Sequence, residues 1–209
     1  MATDDQRTFS SDVAFTTSVK KEQEKRGSRK GYQKMEERGG WRTTVDEELR
    51  AFIGTRESFY LGTVNADGYP YIQHRGGKAG FLKVLDENRL AFADFAGNKQ
   101  YITLGNLNDN PKAFIFLMDY RNRRRIKIWG HASYVEDDQA LMDQLIDKDY
   151  NARPERAVVF TIEAWDSNCP QHIPQMWSEV EIAPVVNAMN ARIEELEAEV
   201  AALKAQPES

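Results

Sequence analysis

The chain has 209 residues, 41% of them hydrophobic, and a formal net charge of −5. That length suits one domain with extensions or two small domains, and the acidic balance argues against a general nucleic-acid binder, which carries a basic footprint. Cys169 is the only cysteine, which excludes an intrachain disulfide and a cysteine-based zinc site.

No apolar run approaches the length of a membrane span. Residues 1–6 lack the charged and apolar regions of a signal peptide, so the expected setting is reducing and cytoplasmic, with no membrane association. The polar excess gathers in residues 1–50 and 179–209, and residues 58–135 read as the dense core. Three segments are expected: a polar arm over 1–42, a β domain over 43–178 and a C-terminal helix over 179–209.

In the arm, Gly27, Gly31, Gly39 and Gly40 interrupt any long helix. Val13, Phe15, Val19, Tyr32, Met35 and Trp41 make it apolar enough to lie over the core or over a partner subunit; a disordered extension is the alternative. Thr44-Val45-Asp46-Glu47 resembles a capping box, with Thr44 as the cap. Leu49, Phe52 and Ile53 then give a short amphipathic helix ending near Thr55-Arg56.

Ser58 to Val64 reads as a strand and Asn65-Ala66-Asp67-Gly68 as a turn. Tyr69 to His74 returns as a second strand, with Pro70 near its start, where a missing donor is tolerated. Phe81–Leu85 and Leu90–Phe95 form another pair across Asp86-Glu87-Asn88. Asn98 is placed to cap a helix over Lys99–Leu107, which Asn110-Pro111 terminates. Ala113–Met118 and Arg125–Ala132 are further strands, Asp137 or Asp138 caps a helix through Ile146, and Ala157–Ala164 is the last strand. Some six short strands with hairpin connections and few helices point to a mainly β, α+β chain built as an antiparallel barrel.

The C-terminal segment differs in kind. Val186, Met189, Ile193, Leu196, Val200 and Leu203 alternate three and four apart. This is a heptad seam with β-branched residues at a, and Met or Leu at d, a pattern that favours two parallel strands. Arg192 at g faces Glu197 at e of a partner, and Glu199 faces Lys204. The narrow stripe and the glutamates crowding the other faces weigh against packing on the chain's own domain.

Basic and amide side chains gather where the strands end. Arg75 is followed by Gly76 and Gly77, which allow close approach of backbone N–H groups to a ligand. Lys83 lies on the next strand. Asn98, Lys99 and Gln100 open a helix, so side-chain donors and the helix dipole favour the same anion. Arg124 or Arg125 begins a later strand. Each alone is an ordinary solvated cation; together they suggest a place for an anion beside a flat apolar surface, the combination a phosphorylated flavin requires.

Tyr69 to Gly77, Gly80 to Asp86 and Phe92 to Gln100, followed by Asn110-Pro111-Lys112-Ala113, Phe116 to Asp119 and Gly130-His131-Ala132, resemble the pyridoxamine 5′-phosphate oxidase-related family of FMN-binding split barrels. The resemblance spans about residues 45–177 and is to its flavin-nucleotide-binding branch. It implies an antiparallel split β-barrel with a few peripheral helices, here extended by a C-terminal coiled-coil helix. It further implies a homodimer with FMN at the subunit interface and a small-molecule substrate. By resemblance Arg75 and Lys83 contact phosphate and ring; the backbone of Ala93, Asp94 and Phe95 faces the flavin; Asn98 and Lys99, beside Gln100, hold the ribityl phosphate. Arg125 lies near the pyrimidine edge, and Gln171 and Trp177 are candidates for contacts from the second chain. The function implied is an FMN-dependent oxidoreductase passing hydride or electrons to a small acceptor or oxygen. The alternative is a non-enzymatic flavin or haem binder, sensor or stress protein of the same fold. True pyridoxamine 5′-phosphate oxidases end in a Trp- and Arg-bearing segment, and this chain has the heptad helix in its place.

Other features carry less. Cys169 and His172 supply at most two metal ligands, so no metal site is expected. His131 reads as structural, and Arg121–Arg125 as a solvated hairpin turn.

Overall fold

The computed structural model describes residues 7–147, 149–167 and 170–205. Contacts divide these into one unit within 7–119 and 124–170 and a second within 120–123 and 171–205.

Alternation of apolar residues builds the first unit. In β1 (Ser58–Val64), Phe59, Leu61 and Thr63 point inward. Inward positions in β5 (Lys112–Asp119) are Ala113, Ile115, Leu117 and Asp119, and in β6 (Arg124–Val135) they include Ile126, Ile128 and Ala132. With β2 (Pro70–Gly76), β3 (Lys83–Val84), β4 (Arg89–Phe95) and β7 (Pro154–Ser167), they form one seven-stranded sheet ordered β2-β1-β5-β6-β7-β4-β3. All its pairings are antiparallel. The sheet curls so that Phe59 of β1 meets the ring of Phe92 on β4 at 5.1 Å and that of Phe81 at 5.4 Å. This is the split barrel, and each of the seven stretches read as strands from the sequence supplies one of its strands.

The fourteen-residue β7 is the hinge of the architecture, pairing with β4 along one edge and β6 along the other. Phe160 and Trp165 on it are buried in the main core. A second, smaller cluster joins Ala91 and Ala93 of β4 to Met142 and Leu145 of α5 (Gln139–Leu145). Asp138 caps α5 by accepting the Leu141 N–H at 2.9 Å.

Two helix starts differ from expectation. Helix α3 (Glu47–Gly54) is capped by Asp46, which accepts the Leu49 N–H at 2.9 Å, and not by Thr44. The preceding residues are committed to the sheet edge: Arg42 bridges to Trp165, and the Val45 N–H donates to Glu87 O at 2.7 Å. Helix α4 (Ile102–Asp109) begins three residues later than expected, because Lys99 and Tyr101 adopt left-handed backbone at φ 59° and 54°.

Residues 7–41 hold a 3₁₀ turn (Ser10–Val13) and helices α1 (Thr17–Lys25) and α2 (Arg29–Glu37). They lie on the outer face of β6 and β7. Trp41 stacks on Trp129 with centroids 4.6 Å apart, Phe15 packs edge-on to Trp41, and Arg7 pairs with Glu163 at 2.7 Å. Within the arm, Glu36 is buried and paired with Arg29.

The second unit is dominated by α6 (Glu179–Lys204), a 26-residue helix with no buried residue. No helix among the described residues is long and apolar enough to cross a membrane.

Candidate functional site

Where β2 and β4 end, a cleft of about 260 Å³ opens between Gln73 and Arg75 on one side and Asp94 and Phe95 on the other. Residues 97–104 form its rim, and Tyr134 of β6 and Glu155 of β7 contribute to its wall. Three local features build it. The β4–β7 register slips between Asp94 and Phe95, and such a bulge ends pairing and re-aims side chains. The left-handed residues Lys99 and Tyr101 then turn the chain sharply into α4, a conformation that costs free energy and is concentrated at ligand sites. Finally, α4 is pinned over the sheet: Thr103 donates to Gln73 Oε1 at 2.8 Å, and the Asn106 amide donates to Thr63 Oγ1 at 3.0 Å in a buried contact.

The cleft therefore has a helix start at its rim, where the first backbone N–H groups lack intrahelical partners and the helix dipole favours an anion. Asn98 does not cap that helix; its side chain accepts the Gln100 N–H at 3.3 Å and shapes the loop.

Charge is concentrated behind the rim. Arg75 pairs with Asp94, each side chain only 13% exposed. The Arg75 guanidinium also lies 5.8 Å from the Phe92 ring centroid. Its Nε is buried without a hydrogen-bond partner. Arg156 on β7 sits beside the same wall, 5.4 Å from the Tyr101 ring and 5.6 Å from that of Tyr134, and its Nη2 bonds Glu155 at 3.2 Å. Tyr134 lies between the two arginines. Burial and then the Asp94 carboxylate push its phenol up to about 12, with Arg75 and Arg156 opposing.

That shift has a measurable consequence. The folded value lies above the unfolded one of about 10, so the native state holds this proton more tightly. The associated stability is present below pH ~10 and is lost as pH rises through ~12. A spectrophotometric titration of the folded protein is expected to show one of its eight tyrosines ionising late, with Tyr134→Phe removing that step. A single tyrosine transition near 10 would contradict the buried setting.

Of the residues expected from sequence, the structure brings Arg75, Asp94, Phe95, Asn98, Lys99 and Gln100 into this cleft. Gly76 and Gly77 continue past it. The Gly77 N–H is taken by Glu57 O at 2.9 Å, and a Cβ there would lie 2.7 Å from the Phe81 ring. Its small size thus makes room for Phe81, and the bond to Glu57 leaves its N–H unavailable to a ligand. Lys83 pairs across to Ala91 and contributes, after the Asp149 N–H and Lys78, to holding the Asp147 carboxyl below its usual range. Ala93 is core, in the cluster with Met142 and Leu145. Arg125 lies at the opposite end of β6 from Tyr134, roughly 30 Å away at ~3.3 Å per strand residue. Gln171 and Trp177 belong to the second unit, where both are exposed.

Tyr134 and Arg156 were not expected at the site. The signal for Arg156 was the run Arg153-Pro154-Glu155-Arg156, which extends β7 three residues ahead of its expected start and places Arg156 opposite Asp94. Of the histidines, His74 packs edge-on to Tyr60 at 5.7 Å and His131 contacts Glu163 at 2.9 Å; neither lines the cleft. Cys169 lies outside the described residues, and among those described no group of three or more metal-ligating side chains occurs.

The family model for pyridoxamine 5′-phosphate oxidase matches residues 45–169, well over half of the chain and the whole of the sheet up to Ser167. The chain belongs to the pyridoxamine 5′-phosphate oxidase family. No curated protein matches the sequence. Solved structures similar to this family member include HupZ from Group A Streptococcus, at 15% identity over 64% of this chain and 99% of that one, TM-score 0.46. An FMN-binding protein from Syntrophomonas wolfei matches at 18% identity over 73% and 95%, TM-score 0.45. General Stress Protein 26 from Bacillus anthracis matches at 20% identity over 58% and 91%, TM-score 0.43.

Proposed function

We propose that this family member is a flavoprotein that holds FMN non-covalently in the β2–β4 cleft and acts as an oxidoreductase on a small molecule, as a homodimer with the cofactor at the subunit interface. The observation that carries the reading is the convergence in one cleft of Arg75, Lys99, the amides of Gln73, Asn98 and Gln100, and the start of α4.

These groups suit a phosphate. Lys99 supplies charge, Arg75 supplies charge-assisted N–H donors, the amides supply neutral hydrogen bonds, and the α4 start supplies backbone donors. The Arg75–Asp94 and Arg156–Glu155 pairs are each neutral overall, so neither carboxylate opposes an incoming anion, and Lys99 carries the net positive charge of the cleft. At about 260 Å³ the cleft falls below the ~300–1,000 Å³ of sites that enclose a whole drug-sized ligand. It has room for the phosphate end, and the ring would extend toward a second subunit. Bound there, FMN would supply hydride and electron chemistry through its ring. The chain's own contribution is to bind and orient: Arg75 and Lys99 anchor the phosphate, and Phe95 and Tyr71 offer apolar surface beside it.

The test is flavin occupancy, read from the visible spectrum and from quenching of FMN fluorescence during titration. Lys99→Ala, an exposed position, is expected to weaken FMN binding about 10-fold, and Arg75→Ala with Lys99→Ala about 100-fold or more, given ~1.5–3 kcal/mol for each hydrogen bond to a charged group. Unchanged occupancy in both variants would sink the site. A wild-type protein that takes up no FMN would sink the cofactor.

A further inference from the structure

The C-terminal helix carries an inference that does not rest on the flavin reading. Helix α6 runs for 26 residues with none buried, Pro184 removing one hydrogen bond of the ladder in its second turn, about 39 Å at 1.5 Å per residue. Its start is well made: Ser178 and Glu181 form a capping box, and Arg121 pairs with Glu181. Beyond that start the helix has an exposed apolar seam. Ile182 is 42% exposed, Val186 44%, Met189 61% and Leu203 60%. Ile182 lies four residues before Val186, so the seam begins one position earlier than the heptads read from sequence. Isolated helices are marginal in water, and helical stability comes mainly from packing an apolar face. This face calls for a partner.

We infer that α6 forms a parallel, in-register two-stranded coiled coil with α6 of a second copy of the chain, spanning Val186 to Leu203, C-terminal to Pro184. Charge chooses this arrangement over the others. In the parallel register, Arg192 at g meets the second copy's e-position glutamate, and Glu199 at g meets its e-position lysine, so both flanking contacts are attractive and each occurs twice by symmetry. A slip of one heptad places Arg192 of one chain against a lysine at position 204 of the other and Glu199 of that other chain against a glutamate at position 197 of the first; the opposite slip is the same arrangement with the chains exchanged. A slip therefore sets like charges together at both contacts. An antiparallel pair keeps one attraction, between Arg192 and Glu199, leaves Lys204 without an acidic partner and mixes the β-branched a residues with the d leucines. Only the parallel register satisfies both ion pairs and both core preferences.

Arg192 is occupied in the single helix by Glu195 at 2.8 Å, with both side chains more than 60% exposed. Such an exposed pair contributes ~0–1 kcal/mol and exchanges readily. A membrane surface is a poor occupant of the same seam. The polar faces carry Glu194, Glu195, Glu197 and Glu199 against Arg192 and Lys204, so an anionic headgroup layer would repel them.

Dimer mass alone would not test this, because the barrel could dimerise independently. Cross-link geometry does. In the full-length chain carrying Cys169→Ser, single variants Val186→Cys, Val200→Cys and Ala198→Cys are oxidised at equal concentration and scored for covalent dimer. The two seam positions are expected to cross-link at least 10-fold faster than Ala198→Cys, which points away from the seam. Two outcomes overturn the inference. One is cross-linking in a mixture of Val186→Cys and Leu203→Cys chains but not in Val186→Cys alone, which marks an antiparallel pair. The other is seam variants no faster than Ala198→Cys, which marks an unpaired helix. The readout is independent of flavin, so its failure and that of the proposed function are separable.

Discussion

Gly130→Ala is expected to cost at least ~4 kcal/mol, at the upper end for single substitutions, and to lower the melting temperature by roughly 10 °C for a chain of this length. A Cβ at this position would overlap the Thr161 carbonyl oxygen and lie 2.7 Å from the Phe160 ring. The β6–β7 register shifts between Trp129 and Gly130, so the backbones approach more closely here than in a regular ladder. Phe160 is fully buried, and the facing carbonyl belongs to the strand that holds both edges of the barrel. Neither neighbour can move without opening the sheet. Urea denaturation followed by tryptophan fluorescence measures the effect. A midpoint within experimental error of wild type would show that the strand accommodates a methyl group there.

The second large effect falls in the cleft. Asp94→Ala leaves the Arg75 guanidinium without its carboxylate at a position only 13% exposed, and removing one partner of a buried pair costs ~3–5 kcal/mol. The residual exposure places the expected loss toward the lower end of that range. The double variant Arg75→Met with Asp94→Ala is expected to recover much of the stability, because no charge remains stranded beside Phe92. It should not recover FMN binding, because the cation is gone. A double variant as unstable as Asp94→Ala would show that the pair matters for packing and not for charge. One that binds FMN like wild type would remove Arg75 from the proposed site.

The barrel was largely legible in the sequence because its information is local. Alternating Phe59, Leu61 and Thr63, or Ala113, Ile115 and Leu117, define an inward face whatever strand lies alongside. The heptads of α6 are likewise set by spacing alone. Errors arose where a local rule met a distant constraint. Thr44 and Asp46 are both acceptable caps, but the Arg42–Trp165 bridge and the Val45–Glu87 hydrogen bond hold the earlier residues extended and leave Asp46 the role. Asn98 had the side chain of a helix cap, but the cleft-lining loop runs through left-handed Lys99 and Tyr101 before the helix can begin.

The site divides the same way. Residues 98–100 are contiguous and Arg75 precedes Gly76-Gly77, so both are legible as strand-end donors in one segment each, and the family resemblance added Asp94 and Phe95. Neither could sort the other cations. Arg75, Lys83 and Arg125 are equally basic residues on strands, yet only Arg75 reaches the cleft, while Arg156, on a strand about 60 residues after Asp94, packs on Tyr101 and Tyr134 beside its wall. Sequence by itself determined which faces are apolar, where strands turn and that an apolar seam runs along α6, since each depends on spacing along one element. Which charges share a cleft was decided by the curl of the sheet: the β4–β7 register and the approach of β2 to β4 bring residues distant in the chain within bonding distance, and strand spacing carries no record of that closure.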